Sequence, residues 1–301
     1  MHHGSRPGPR PGSELGDWLR TLRERLRPAD VGLTPGERRR VPGLRREEVA
    51  HLAGISTEYY LRLERGRDRR PSAQVVDSLA RALLLTEDEE RHLRRLAAPR
   101  PGPRHRPEGQ GGAAPGTAAL IDQWTTTPAL VQGPSMETLA ANPAAVVLNP
   151  CFAPGGNSLK AVFTEPGMRR FYRDWDAVTA KAVAYLRSLT GPESHHDPAL
   201  VALIGELSLH SERFRTLWAR KDVRRTTRGV SLMRHPLVGD LDLRFQKFSL
   251  PGTGGQTLVT YHADPGSTSY ERLLLLAGLP GPRAPRPRPA HGNRRESAHE
   301  R

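Results

Sequence analysis

Residues 44–66, LRREEVAHLAGISTEYYLRLERG, carry two short apolar-faced segments on either side of a glycine, and no other stretch of the chain constrains its fold as tightly. Val49, Ala50, Leu52 and Ala53 recur three or four apart, so the first segment has one burial face at helical period. Ala50 is small enough for a second helix to approach. Gly54 falls where the chain must turn sharply, a position suited to a residue that tolerates positive φ. Ile55 plugs the turn and Ser56 is a good N-cap for the next segment, where Tyr60 and Leu63 return at the spacing that faces the first helix. Thr57, Glu58, Tyr59, Leu61 and Arg62 are left pointing outward. The pattern is a helix-turn-helix, although a purely structural helical hairpin satisfies the same apolar positions.

The flanks separate these two readings. Arg45 and Arg46 open the first helix, and Arg65, Arg67, Arg69 and Arg70 follow the second, so cations stand at both ends of the outward face, where the phosphates of a docked duplex lie. Residues 36–70 hold ten arginines against six acids, a local surplus of four. The pattern continues on both sides into a five-helix domain, residues 13–98. Leu15, Trp18, Leu19, Leu22 and Leu26 make an amphipathic first helix that Ser13 can cap. Residues 72–85 read as a fourth helix capped by Ser72, and 87–96 as a fifth with acids in its first turn and arginines near its end. Arg38, Arg39 and Arg40, in the loop before the motif, are either phosphate contacts or a solvated charge run.

Composition fits a nucleic-acid partner without proving one. The net charge is +14 and the isoelectric point is near 10.9, but residues 280–301 alone supply six arginines against two glutamates. That terminus is rich in Pro and Arg and poor in apolar residues, so it reads as a disordered basic tail, as do residues 1–12. A single cysteine, Cys151, forbids an internal disulfide and fits a reducing compartment. No apolar run approaches membrane-spanning length and the N-terminus lacks a signal-peptide core, so a soluble cytoplasmic protein with no membrane partner is expected.

Residues 99–116 are crowded with Pro and Gly and form a linker. Beyond it, residues 117–279 read as a second domain. A helix (AALIDQW) is followed by two extended runs (PALVQGP, METLAAN), helices near 158–164, 168–190, 197–208 and 211–220, and three closing strands. In the middle closing strand Leu241, Leu243, Phe245, Lys247 and Ser249 alternate with Asp242, Arg244, Gln246, Phe248 and Leu250, the period of a half-buried strand. Strands at both ends with helices between them predict an α+β layer fold with an antiparallel sheet.

Two resemblances add to this reading. The words REEVAHLAGIS, YYLRLERGR and RRPS-x-x-x-V-x-x-LARAL resemble the XRE-type regulators related to phage repressors and Cro. That resemblance implies base-edge contacts from Thr57, Glu58 and Arg62 and backbone contacts from Arg46, Ser56 and Arg67, with Tyr59 along the backbone. Arg45, Arg69 and Arg70 complete the expected DNA-binding set. Glu64 is expected to hold the motif together and not to touch DNA. The runs FYRDWDAVTAKAVAYLRSL, DPALVALIGELSLHSERFRTLWARKDV and RHPLVGDLDLRFQKFSLPGTGGQTLVTYHADPGS resemble the MmyB-like regulator ligand-binding domain. Its implied fold is PAS-like, and its implied ligand is a small apolar effector, fatty-acid-like, held between sheet and helices. One departure is visible: relatives carry an aromatic-Asn pair where this chain has Ala141-Asn142, which reshapes that part of the core.

On this resemblance Phe214, Trp218, Val223 and His235 are the candidate ligand contacts, each with a structural alternative: helix core for the first three, a turn hydrogen bond for His235. Catalytic constellations are thin. His195, His196 and Asp197 sit adjacent in a polar turn at spacing unsuited to a metal site or a triad. Gly252, Gly254 and Gly255 lie between two strands and read as a hairpin loop. Ser208 and His210 stand without a nucleophile elbow. The sequence therefore predicts a non-enzymatic transcription regulator without cofactor or metal. It should bind a double-stranded DNA operator as a homodimer, with the second domain as an effector sensor or, alternatively, only an interaction scaffold.

Overall fold

The computed structural model describes residues 13–34, 41–68, 70–98, 112–114, 116–190 and 197–278. Arg38, Arg39, Arg40, Arg69, His195, His196, both termini and most of the Pro/Gly linker lie outside the described residues.

Five helices form the first unit, and local capping explains where they begin or end. α1 (Glu14–Arg25) starts at Ser13, whose hydroxyl accepts from the Gly16 N–H at 3.1 Å. α2 (Arg46–Ala53) stops at Gly54, which takes φ 66° and lets the Ile55 N–H close back on the Ala50 carbonyl. α3 (Thr57–Glu64) is capped by Ser56, accepting from the Tyr59 N–H at 3.1 Å. α4 (Ala73–Ala82) is capped by Ser72, and α5 (Glu87–Ala97) opens on a reciprocal Thr86–Glu89 box. α4 is three residues shorter than the pattern suggests, because Leu84 turns to φ 50° and the Leu85 N–H folds back onto the Ala80 carbonyl.

Trp18, Leu19, Tyr60, Leu63, Leu79, Leu83 and Leu93 fill one core between these helices. Gly16 permits the closest crossing in it: a Cβ there would lie 2.3 Å from the Glu64 carbonyl oxygen, so α1 rests directly on the backbone of α3.

The second unit opens with α6 (Thr117–Asp122), β1 (Ala129–Gln132), β2 (Thr138–Ala141) and α7 (Pro143–Leu148). α8 (Ser158–Thr164), α9 (Pro166–Phe171), α10 (Trp175–Leu189), α11 (Pro198–His210) and α12 (Glu212–Ala219) follow, then β3 (Arg228–His235), β4 (Gly239–Ser249), β5 (Thr257–His262) and α13 (Thr268–Ala277). The five strands form one antiparallel sheet in the order β2-β1-β5-β4-β3, which brings the two ends of the domain together at the sheet centre. The α+β architecture expected from the pattern is the one observed. Along β4 the period-two alternation holds: Leu241 and Leu243 are buried while Asp242 and Arg244 are exposed.

Three elements differ from the sequence reading. The helix expected over 168–190 is two helices, because Tyr172 bridges to Met233 and the Arg173 N–H donates to the Leu232 carbonyl, tying the break to β3. α7 and α13 have no counterpart in that reading. α7 is launched by Asn142, with Pro143 at its first position.

Val223, on the segment between α12 and β3, belongs to the core of the first unit, where it is 7% exposed. Two residues on, the Arg225 N–H donates to Asp88 Oδ2 of α5 at 2.7 Å.

Candidate functional site

The outward face of α3 carries Thr57, Glu58 and Arg62, all exposed. Arg62 leans on its own helix, with Nη1 3.7 Å from Glu58 Oε1 and its guanidinium 5.3 Å from the Tyr59 ring centre. Such an exposed pair is worth well under about 1 kcal/mol, so base edges can separate it at little cost. Tyr59 itself is half-buried against the core. Past the helix, Gly66 at φ 66° turns the chain and leaves Arg67 and Arg70 exposed, and Arg65 is exposed beside them.

Beneath this face lies a charged clamp. Glu64 is fully buried; Oε1 accepts from Arg23 Nε and Oε2 from Arg46 Nε, each at 2.6 Å. Arg23 is itself buried and donates to the Leu44 carbonyl at 3.0 Å. Burial works against the Arg23 charge, yet the hydrogen bond and negative charge of Glu64 hold its pKa above the ordinary value. The clamp joins α1, the start of α2 and the end of α3, fixing the reading helix on its support. Arg46 is therefore shared between clamp and surface. Arg45, half-buried, pairs with Glu47 at 3.3 Å and caps α2 through its N–H to Glu48.

In the second unit a cavity of about 120 Å³ opens between the sheet and α8–α10. Leu130, Phe152, Val162, Tyr172, Tyr185, Phe245, Val259 and Tyr261 make an apolar and aromatic wall, and Lys181 and Lys247 bring charge to it. The Lys247 ammonium lies 3.5 Å from the centre of the Tyr185 ring, and among the described residues no carboxylate pairs with it. Burial alone lowers its pKa to about 8. The same burial pushes the Tyr261 phenol up to about 12 and the Tyr172 phenol upward.

None of the four expected ligand contacts lines this cavity. Phe214 and Trp218 of α12 stack on each other at 5.6 Å within the helical layer, where Phe214 also meets Phe163 edge-on. The Arg187 guanidinium covers the Trp218 ring at 3.8 Å. Val223 faces the other unit. His235 is buried in a turn: Nδ1 accepts from the Leu237 N–H at 3.2 Å, which leaves Nε2 to donate to the Val147 carbonyl at 3.1 Å. Phe214 and Trp218 thus pack in helix core and His235 makes a turn hydrogen bond, whereas Val223 lies outside any helix. Helix periodicity marks Phe214 and Trp218 as apolar but cannot say which layer they face.

Residues that the pattern passed over do more. Asn142, fully buried, donates to the carbonyls of Ile121, Trp124 and Thr127 and accepts from the N–H groups of Ala129 and Ala145, so it ties α6, β1 and α7 together. An Asn-Pro step before a small apolar run is a helix-start signal and could have revealed it. Lys247 was visible as the one cation on the inward register of β4. Gly252, Gly254 and Gly255 do form the β4–β5 hairpin loop, all at positive φ. Among the described residues no cluster of metal-ligating side chains occurs, and no helix is long and apolar enough to cross a membrane.

A DNA-reading helical unit joined to an α+β unit with a ligand-sized cavity defines a DNA-binding transcription regulator with a ligand-binding domain. Comparison with known families agrees: residues 14–93 match a helix-turn-helix domain, and residues 113–276 match the MmyB-like transcription regulator ligand binding domain. The second match covers more than half of the chain, which belongs to the MmyB-like transcription regulators. No curated protein matches it. Both matched families are regulatory.

Proposed function

We propose that this regulator binds a palindromic operator as a cytoplasmic homodimer and that an apolar effector with an acidic end, a fatty acid or a molecule like it, sets its operator affinity from the cavity of the second domain. Arg62, Thr57 and Glu58 read base edges, while Arg45, Arg46, Ser56, Tyr59, Arg67, Arg69 and Arg70 lie along the backbone. The observation that carries the effector reading is the unpaired Lys247 ammonium inside an apolar wall. A buried cation without a counter-ion is costly, and a carboxylate delivered by a ligand with an apolar body relieves that cost. At about 120 Å³ the cavity is close to the size of engineered cavities that take a single aromatic ring. A long acyl chain must therefore widen it.

Coupling runs through the segment after α12. Val223 sits in the core of the DNA-binding unit, Arg225 bonds to Asp88, and Thr226 lines the cavity, so three nearly consecutive residues join ligand wall to reading unit. An effector that favours one arrangement of this segment shifts operator affinity by the same factor that DNA shifts effector affinity.

Thermal melting and operator titration of the full chain across fatty acids of increasing length test both halves. A bound acid raises the melting temperature with concentration and changes operator affinity. Lys247→Met should abolish the fall in acid binding that wild type shows as pH rises through about 8, where free Lys247 loses its charge. No change in melting or operator binding with any acid would leave the second domain as a dimerisation scaffold.

A further inference from the structure

A second, open groove of about 370 Å³ adjoins the cavity and shares Lys181, Thr226, Val230 and Phe245 with it. It runs along residues 224–230 to Asp88 on α5, so it lies where the two units meet. Its charges are one-sided: Lys181, Arg224, Arg225 and Arg228 against Asp88 alone. Asp88 is already engaged, accepting from Arg91 Nη1 and from the Arg225 N–H, both at 2.7 Å. The arginine side chains are not paired in this way. Among the described residues no carboxylate pairs with the side chains of Arg224, Arg225 or Arg228; Arg225 reaches only the Ser249 hydroxyl at 3.3 Å, and Lys181 stands 4.0 Å from Asp174. Arg95 of α5 adds to the crowding: its Nε is buried without a hydrogen-bond partner.

We propose that the effector carries a phosphate-bearing head, which occupies this groove while its apolar body enters the cavity. The inference rests on reading the cavity as the effector site and extends it to the other end of the molecule. A lone carboxylate is one small charge and is answered by Lys247. Three unpaired guanidinium groups call for more negative charge and more acceptor oxygens, and their planar donor forks match phosphate oxygens. At about 370 Å³ the groove has room for a head bulkier than a carboxylate. Seated there, the head stands beside the Asp88–Arg225 contact that joins the units, and head-group charge becomes the signal the DNA-binding unit receives.

Calorimetric titration of the full chain with 12-phosphonooxydodecanoate, dodecanoate and dodecanol, all below their micelle concentrations, tests this. The phosphorylated acid, which keeps the carboxylate for Lys247 and adds the phosphate head, should bind about tenfold more tightly than dodecanoate, the worth of one or two added charge-assisted hydrogen bonds at a partly exposed site. The exposed double substitution Arg224→Gln with Arg228→Gln should erase that preference and leave dodecanoate affinity unchanged, whereas the cavity-filling Ala182→Phe should weaken both anions. Equal affinity for the two acids overturns the inference and leaves the effector reading standing. A preference that survives the double substitution overturns it as well. Failure of all three amphiphiles to bind overturns both this inference and the effector reading.

Discussion

Replacing Glu64 by Leu should cost the DNA-binding unit a large part of its stability. The carboxylate is fully buried and receives Arg23 Nε and Arg46 Nε at 2.6 Å each. Arg46 is exposed and returns to water when its partner is lost. Arg23 cannot, since its side chain is only 6% exposed. Breaking a buried pair from one side typically costs about 3–5 kcal/mol, because the remaining charge is stranded. Arg23 keeps the Leu44 carbonyl at 3.0 Å and an exposed carboxylate, Glu24, at 3.2 Å, which points to the lower end of that range. For a helical unit of this size a loss of about 3 kcal/mol lowers the melting temperature by roughly 12–24 °C. Circular dichroism of the full chain follows it directly. The decisive comparison is the double variant Arg23→Met with Glu64→Leu: an apolar pair of similar volume strands no charge, so the double variant should recover a large part of what the single one loses. If Glu64→Leu melts within a degree or two of wild type, or the double variant falls as far as the two single losses combined, the clamp is not what fixes α3.

Other outcomes follow from the same geometry. Arg62→Ala should lose about 1–3 kcal/mol of discrimination at one base pair per half-site, whereas Arg67→Ala should weaken all sequences alike and flatten the salt dependence by about one unit of slope; operator and mismatch titrations over a salt series distinguish them. His92 is buried against the edge of Trp18, and burial, then Arg95 and Arg187, lower its pKa to about 3 from 6.5. The unfolded chain therefore takes up a proton before the folded one does, so stability is full above pH 6.5 and falls as pH drops towards 3; His92→Leu should flatten that limb in denaturant titrations. Asn142→Ala should cost the second unit about 3 kcal/mol, read from the same titrations, because it leaves the Ala129 N–H and several buried carbonyls without their partner.

The reading unit was legible because its signals are local. Ser13, Ser56, Ser72 and Thr86 each cap the helix that follows them, and Gly54 and the apolar faces act within a turn or two of themselves. In the second domain the strands of the sheet were legible from alternation, but the cavity was not. Its wall draws Leu130, Phe152, Tyr172, Tyr185, Phe245 and Tyr261 from separate elements, and no short-range pattern shows which apolar residues meet across a sheet. Phe214 and Trp218 illustrate the difficulty: their helix and its apolar face are plain, yet that face packs on other helices. Asn142 shows the converse, a polar residue between two small ones whose five hydrogen bonds connect segments up to 21 residues apart.

Val223 bears on how such a protein can be taken apart. It comes more than a hundred residues after α5, yet it completes the apolar interior of the five-helix unit. A fragment ending near residue 98 therefore begins life with a missing plug, and a chimera that grafts this sensor onto a foreign reader brings along a plug shaped for a different socket. Exchange of parts is restricted accordingly for this chain: reader and sensor have to travel together, or the segment around Val223 has to be re-cut to suit its new neighbour.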